Sequence, residues 1–187
     1  MPTPRTPQPA PVALVGAGPG AADLLTLRAL RCIEAADVII HDRLVSAEIL
    51  ALARADAHLV AAGKQGFGPA TPQEAINALI IGHARTGAQV VRLKGGDPVL
   101  FGRLDEEIAA LEAAGLPYEI VPGITAASAA AAAIGQSLTR RGRNSGLRLL
   151  TGHDMAGFAD HDWRALARPG EVAALYMAKR AARYVQG

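Results

Sequence analysis

The sequence predicts an α/β fold with a mostly parallel sheet, and three features carry that prediction. Short apolar runs, such as VALV at Val12–Val15 and VII at Val38–Ile40, alternate with longer stretches of helical period. Glycine-bearing turns follow several of these runs, at Gly16–Gly20, Gly63–Gly68 and Gly95–Gly96. Strands separated by helices pair in parallel, because a two-residue hairpin cannot join them. The composition permits such a fold. Of 187 residues, 50% are hydrophobic and 19% charged, which suits a packed core and not a disordered chain.

The elements follow in order. Val12–Val15 is the first strand. Asp23–Ala36 reads as a helix with Leu24, Leu27, Leu30 and Ile33 on one face. Asp37–His41 is the second strand, Ser46–Ala53 a short helix and His58–Ala62 the third strand. Thr71-Pro72-Gln73-Glu74 combines a capping box with a proline expected at the first helical position. The helix it opens carries Ile76, Leu79 and Ile80 at helical spacing, and Gly87 stops it. Gln89–Leu93 is the fourth strand. Arg103–Ala114 is amphipathic through Leu104, Ile108 and Leu111, and Gly115 ends it. Tyr118–Val121 is the fifth strand.

A boundary near Pro122-Gly123 closes an N-terminal α/β domain over residues 12–121. Residues 122–187 are expected to form a partial second α/β domain. It comprises an alanine-rich helix (Thr125–Ile134), a basic turn (Ser137–Asn144), strands Leu147–Thr151 and Val172–Tyr176 with a polar loop between them, and a helix over Lys179–Val185. Two strands do not make an independent sheet, so they either extend the first sheet or belong to an incomplete domain.

Composition also bounds the function. Nineteen basic against seventeen acidic residues give a formal charge of +2. That is no global field for nucleic acid, and 4% aromatic residues offer no stacking platform. Cys32, the single cysteine, is expected to be a buried thiol in a reduced, cytoplasmic protein. Residues 1–11 (MPTPRTPQPAP) are expected to be a disordered proline-rich tail and not a signal peptide. No uncharged apolar run approaches the ~18 residues of a membrane span.

Ligands of open parallel sheets bind beyond the carboxyl ends of the strands, where the glycine turns fall. Gly16-Ala17-Gly18-Pro19-Gly20 permits close approach of a ligand to the backbone. A dinucleotide fingerprint would need glycine at position 21, where Ala21 stands, and Pro19 removes one N–H from the turn. A purely structural glycine turn is the other alternative. Asp42, in His41-Asp42-Arg43-Leu44-Val45, ends the second strand, where a carboxylate can act as a base or accept a hydrogen bond; it can equally pair with Arg43 in solvent. In Leu93-Lys94-Gly95-Gly96-Asp97-Pro98 two glycines precede Asp97, which could take an ammonium group, although Gly, Asp and Pro also suit a plain turn. Arg140, Arg141 and Arg143 suit a polyanion or a solvated loop. Lys64 is either solvated or faces the cleft. His153, Asp154, Asp160, His161 and Asp162 lack a recognised ligand spacing, so no metal is expected.

Taken together, the ordered motifs resemble the tetrapyrrole methylase family on its uroporphyrinogen branch. The matching stretches are VALVGAGPGAADLLTLRAL, ADVIIHDRLVS, Gly63-Lys64, TPQEAINALI, VVRLKGGDPVLFGR, VPGITAASAA, SLTRRGRNS, LLTGHD and ALYM, which cover nearly all of residues 12–177. The resemblance implies two α/β domains, S-adenosylmethionine as methyl donor in the cleft between them, and a homodimer. It implies methylation of uroporphyrinogen III at C2 and C7, giving precorrin-2 for sirohaem and cobalamin.

Carried over by position, Pro19, Gly95, Gly96, Asp97, Leu100, Thr125, Ala126 and Met177 line the cofactor. Asp42 is the implied proton acceptor and Lys64 the implied proton donor. Arg140, Arg141 and Arg143 are the candidates for the substrate carboxylates. The chain departs from the family pattern at His41 (usually tyrosine), Gln65 (usually arginine), Leu104-Asp105 (usually a glycine pair) and Ala178 (usually glycine). Family members continue past Gly187, so a C-terminally shortened second domain is expected. The alternatives are a non-catalytic binding or dimerisation remnant and an NAD(P)-dependent oxidoreductase.

Overall fold

Five of the apolar runs come together as one sheet. The computed structural model describes residues 10–62, 71–144, 146–154 and 157–179. The chain divides into two compact units, Met1–Ala126 and Ala127–Gly187. In the first, the strands are β1 (Val12–Gly16), β2 (Val38–His41), β3 (His58–Ala61), β4 (Val90–Lys94) and β5 (Tyr118–Val121). Their order is β3-β2-β4-β1-β5, and every neighbouring pair is parallel. The crossovers that parallel pairing demands are α1 (Leu27–Ala35), α2 (Ala47–Leu50), α3 (Gln73–Arg85) and α4 (Leu104–Ala113).

The two-residue period of the strands sorts side chains into two cores. Ala13, Val15, Ile39, Val91 and Leu93 pack with Ala29 and Ile33 of α1 and Ile49 of α2. Val12, Leu14, Val38, Ile40 and Val90 pack with Ile76, Ile80 and Ala84 of α3 and Leu111 of α4. The unit is therefore three layers, helices on both faces of the sheet. The same period puts Arg92 and Lys94 with Val90, on the face covered by α3 and α4, where both are buried.

Asp37 clamps the amino-terminal ends of two strands. Its Oδ2 accepts from the Gln89 N–H at 2.7 Å and its Oδ1 from Arg54 Nη2 at 2.8 Å. The Gln89 N–H, with the Arg54 charge beside it, holds the Asp37 carboxyl below the usual carboxylate range. A carboxylate with a depressed folded-state pKa stabilises the fold above its unfolded pKa of about 3.9 and ceases to as pH falls through the folded value. Thermal melts of Asp37→Ala should therefore lie below wild type at pH 7, with the difference narrowing as the pH is lowered past about 4.

Several elements differ from expectation. The helix expected over Asp23–Ala36 is a 3-10 turn at Ala22–Leu24 followed by α1. Thr26 separates them, its Oγ1 accepting the Ala29 N–H at 3.1 Å as an N-cap. The register changes with that break. Leu24 and Leu27 are exposed, and Ala29 and Ile33 carry the contact with the sheet. Pro72 occupies the cap of α3 with ψ of 145°, not the first helical position. Ile76 and Ile80 are buried as expected, but Leu79 lies at the rim. Cys32 is half-buried, not buried, because α1 presents Ala29 and Ile33 to the sheet; its partial burial and the charge of Glu119 push the thiol up.

The second unit holds α5 (Ala126–Ala133, starting at the boundary residue), β6 (Arg148–Thr151), the pair β7 (His153–Asp154) and β8 (Gly157–Phe158), α6 (Trp163–Leu166) and β9 (Ala173–Tyr176). β6 and β9 pair in parallel as a separate two-stranded sheet, so they do not extend the first one. Part of the expected polar loop is instead the antiparallel pair β7–β8. Residues 1–9, most of the N-terminal tail, lie outside the described residues, as does the helix expected over Lys179–Val185 apart from Lys179, which stands in a turn. Among the described residues no helix is long and apolar enough to cross a membrane.

Candidate functional site

Parallel strands deliver all their carboxyl ends to one edge, and the turns after β1, β2, β4 and β5 interlock there. Ala17 N–H donates to the Lys94 carbonyl at 2.7 Å. Gly18 and Gly96 exchange two backbone hydrogen bonds, at 3.0 and 2.7 Å. Ser46, the N-cap of α2, donates its hydroxyl to the Gly20 carbonyl at 2.7 Å, tying the turn after β2 to the turn after β1.

These contacts explain the glycines. A Cβ on Gly16 would stand 2.6 Å from Gly123 N and 2.7 Å from Gly96 O. A Cβ on Gly123 would overlap the Gly96 carbonyl. The turns after β1, β4 and β5 thus approach one another at distances only glycine allows. By contrast, Gly20 (φ 130°) and Gly96 (φ 70°) have nothing among the described residues within 4 Å of where a Cβ would lie, so there the bare backbone faces open space.

The expected cofactor positions of the first unit cluster on these turns. Pro19 is exposed between Gly18 and Gly20, and Gly95 and Gly96 follow β4. Gly95 carries no side chain because a Cβ would stand 2.9 Å from Leu44 Cβ. Asp97 is half-buried and its Oδ1 accepts the Val99 N–H at 2.9 Å, which fixes the turn; Leu100 N–H donates to the Asp97 carbonyl at 3.2 Å. Thr125 and Ala126 stand two and three residues past Gly123. The loop after Asp97 continues through strained backbone. Phe101 and Arg103 have φ of 53° and 52°, and a Cβ on Gly102 between them would meet Pro98 O at 2.5 Å. Leu104 and Asp105 fall in the first turn of α4.

Asp42 directly follows β2, beside these turns. Its N–H donates to the Leu93 carbonyl at 3.1 Å, and its carbonyl accepts from Val45 N–H at 3.1 Å. The expected solvent pairing with Arg43 is not its arrangement. Its Oδ1 accepts from Nη2 of buried Arg92 at 2.5 Å, while the Asp42 side chain stays 30% exposed. Lys64, the other expected catalytic residue, and Gln65 lie outside the described residues.

A buried ionic cluster stands behind Asp42. Oε1 of Glu107, on α4, accepts from Arg92 Nε at 2.9 Å, Lys94 Nζ at 2.8 Å and Gln73 Nε2 at 3.3 Å. Its Oε2 is buried without a hydrogen-bond partner among the described residues. Burial, together with the charge of Arg92, pulls the Lys94 ammonium down from the usual lysine range. None of Arg92, Lys94 and Glu107 is evident as a functional group from the sequence. The available signal is a pair of charges two residues apart in an apolar strand, which places both on one buried face.

In the second unit, Met177 follows β9 with φ of 54° and is 56% exposed. Its carbonyl accepts from His153 Nδ1–H at 2.9 Å. Gly152 is required because a Cβ there would meet Ala178 Cα at 2.9 Å. His161 Nε2–H donates to the Thr151 carbonyl at 2.7 Å, so both histidines are engaged with backbone. Arg140, Arg141 and Arg143 are exposed on a turn that Asn144 closes by accepting the Arg140 N–H at 2.8 Å; none of the three makes an ion pair among the described residues.

The chain is similar to known proteins over nearly all of its length. The profile of the Tetrapyrrole (Corrin/Porphyrin) Methylases matches residues 11–186. A siroheme synthase of Methylococcus capsulatus is 55% identical over 167 residues, which is 89% of this chain and 35% of that protein. The chain thus spans about a third of the length of that relative. The crystal structure of a uroporphyrin-III C-methyl transferase from Thermus thermophilus, complexed with S-adenyl homocysteine, superposes with a TM-score of 0.76 at 40% identity, covering 94% of this chain and 74% of that one. A cobalt precorrin-4 methyltransferase reaches a TM-score of 0.81 at 28% identity, covering 93% of this chain and 71% of that one.

Proposed function

This chain belongs to the tetrapyrrole methylase family, and from that premise we propose that it transfers methyl groups from S-adenosylmethionine to C2 and C7 of uroporphyrinogen III, giving precorrin-2. The observation that supports this most is the interlocked set of glycine turns beside Asp42. The bare backbone of Gly20 and Gly96 leaves space for a bound molecule, and half-buried Asp97 stands next to it, so the residues present fit a donor with a charged amino-acid end.

The methyl donor supplies an already activated sulfonium methyl. The chain's part is therefore to position, where effective molarity contributes several kcal/mol. In this reading Pro19, Gly95, Gly96, Asp97, Leu100, Thr125, Ala126 and Met177 hold the donor. Asp42 accepts a proton or a hydrogen bond from the pyrrole substrate, and Lys64 donates a proton. Arg140, Arg141 and Arg143 meet substrate carboxylates, for which guanidinium forks are suited. The protein acts as a cytoplasmic homodimer in sirohaem or cobalamin synthesis.

Incubation with methyl-labelled S-adenosylmethionine and uroporphyrinogen III is expected to yield tetrapyrrole carrying two labelled methyl groups. Unlabelled tetrapyrrole would remove the activity and leave the family assignment standing. Asp97→Ala should mainly weaken donor binding, and Asp42→Ala should lower turnover with little change in donor affinity. The opposite pattern in calorimetry and kinetics would show the two roles to be exchanged.

A further inference from the structure

We propose that Arg92 is a positioning residue: from its buried seat between Glu107 and Asp42 it fixes the orientation of the Asp42 carboxylate at the carboxyl edge of the sheet. The inference rests on the reading that Asp42 meets the substrate. Arg92 is 2% exposed and is held by more than Asp42. Its Nε donates to Glu107 Oε1 at 2.9 Å, and its Nη1 reaches the carbonyls of Ile40 at 3.4 Å and Leu93 at 3.3 Å. The remaining arm, Nη2, meets Asp42 Oδ1 at 2.5 Å.

The order of constraint follows from these contacts. Glu107 is fully buried on α4, and Ile40 and Leu93 are strand backbone, so the planar guanidinium is set by rigid elements. Asp42 has a short side chain with two rotatable bonds and is partly exposed. The carboxylate thus takes its orientation from the fork, not the reverse. Among the described residues Oδ2 of Asp42 accepts no hydrogen bond, which leaves one oxygen for a ligand. Stability alone does not account for the arrangement. Apolar residues of similar volume often match or exceed the stability of a buried ionic cluster, and in this one Glu107 Oε2 has no partner among the described residues.

The test reads Asp42 directly. Three-bond couplings to the Asp42 Hβ protons report its χ1 rotamer in the labelled protein. One rotamer is expected in wild type, averaging over the staggered positions in Arg92→Met, and intermediate couplings in Arg92→Lys, which keeps the charge but loses the fork. A single unchanged Asp42 rotamer in either variant would overturn the proposal, even if the melting temperature falls. Arg92→Lys retains the charge opposite Glu107, so it carries the test if Arg92→Met does not fold. In turnover, Arg92→Met should lower kcat by about tenfold or more while KM for the methyl donor stays within about twofold, and Arg92→Lys should recover part of the loss. The rotamer measurement needs no turnover. Absence of methyl transfer by the wild type would therefore count against the proposed reaction and leave the positioning role to be decided by the couplings.

Discussion

Replacing Glu107 by alanine is expected to lower stability by about 3–5 kcal/mol, the range found when one member of a buried ion pair is removed. That is a large part of the roughly 5–15 kcal/mol available to a domain. The cause is specific. Oε1 of Glu107 is the shared acceptor of Arg92, Lys94 and Gln73. Asp42 would remain to balance Arg92, but Lys94 would be left buried with no carboxylate bonded to it among the described residues and a guanidinium nearby.

The deficit should depend on pH in a defined direction. The Lys94 ammonium is already below its ordinary range, chiefly through burial, and loss of Glu107 removes an attraction that had raised it. A lysine with a depressed folded-state pKa binds fewer protons folded than unfolded, so stability rises as pH climbs from the folded value toward the unfolded one near 10.4. Urea unfolding at pH 7 and at about pH 9.5 should show the Glu107→Ala deficit shrinking at the higher pH. A loss below about 1 kcal/mol with no dependence on pH would show that the cluster is not the buried unit described here.

The second large effect belongs to Gly123. Its alanine variant would drive a methyl group into the Gly96 carbonyl and onto Gly16 backbone. The atoms it would meet are backbone, which cannot swing aside as a side chain does, so the turns after β1, β4 and β5 would have to separate. We expect a loss of about 1–3 kcal/mol or more, as for overpacked sites generally, together with loss of methyl-donor binding. Gly82, in the middle of α3 with nothing among the described residues within 4 Å of where a Cβ would lie, is the control. Gly82→Ala should stabilise by about 1 kcal/mol through helix propensity, and should leave binding unchanged. Similar melting temperatures for the two variants would contradict the close approach of the three turns.

The order of the strands and helices is legible in the sequence because period two and period 3.6 are local signals. Val12–Val15, Val38–Ile40 and Val90–Val91 are apolar on both faces, as central parallel strands must be, and they occupy β1, β2 and β4. The register of α1 is less legible. Thr26 competes as a cap within a stretch that reads as one continuous helix, and capping moves the buried face from Leu24 and Leu27 to Ala29 and Ile33. The glycine turns are legible as turns, but their mutual approach is a tertiary fact: Gly16, Gly96 and Gly123 are far apart in sequence, and nothing local says that they touch. The ionic cluster is least legible. The acidic run Asp105-Glu106-Glu107 offers three carboxylates, and only the packing of α4 against β4 selects Glu107 for burial while Glu106 turns outward to Arg103. Asp42 is marked by its place at a strand end, yet spacing along the chain suggests Arg43 as its partner, since pairing between β2 and β4 is invisible to sequence spacing.

Isothermal calorimetry of the chain with S-adenosylhomocysteine tests the central claim most directly, because it asks whether the bare turns beside Asp42 and Asp97 hold the product of the methyl donor. A saturable heat that vanishes in Gly123→Ala and weakens in Asp97→Ala is the predicted result. No heat from the folded wild-type chain, or equal heats from all three proteins, would contradict it.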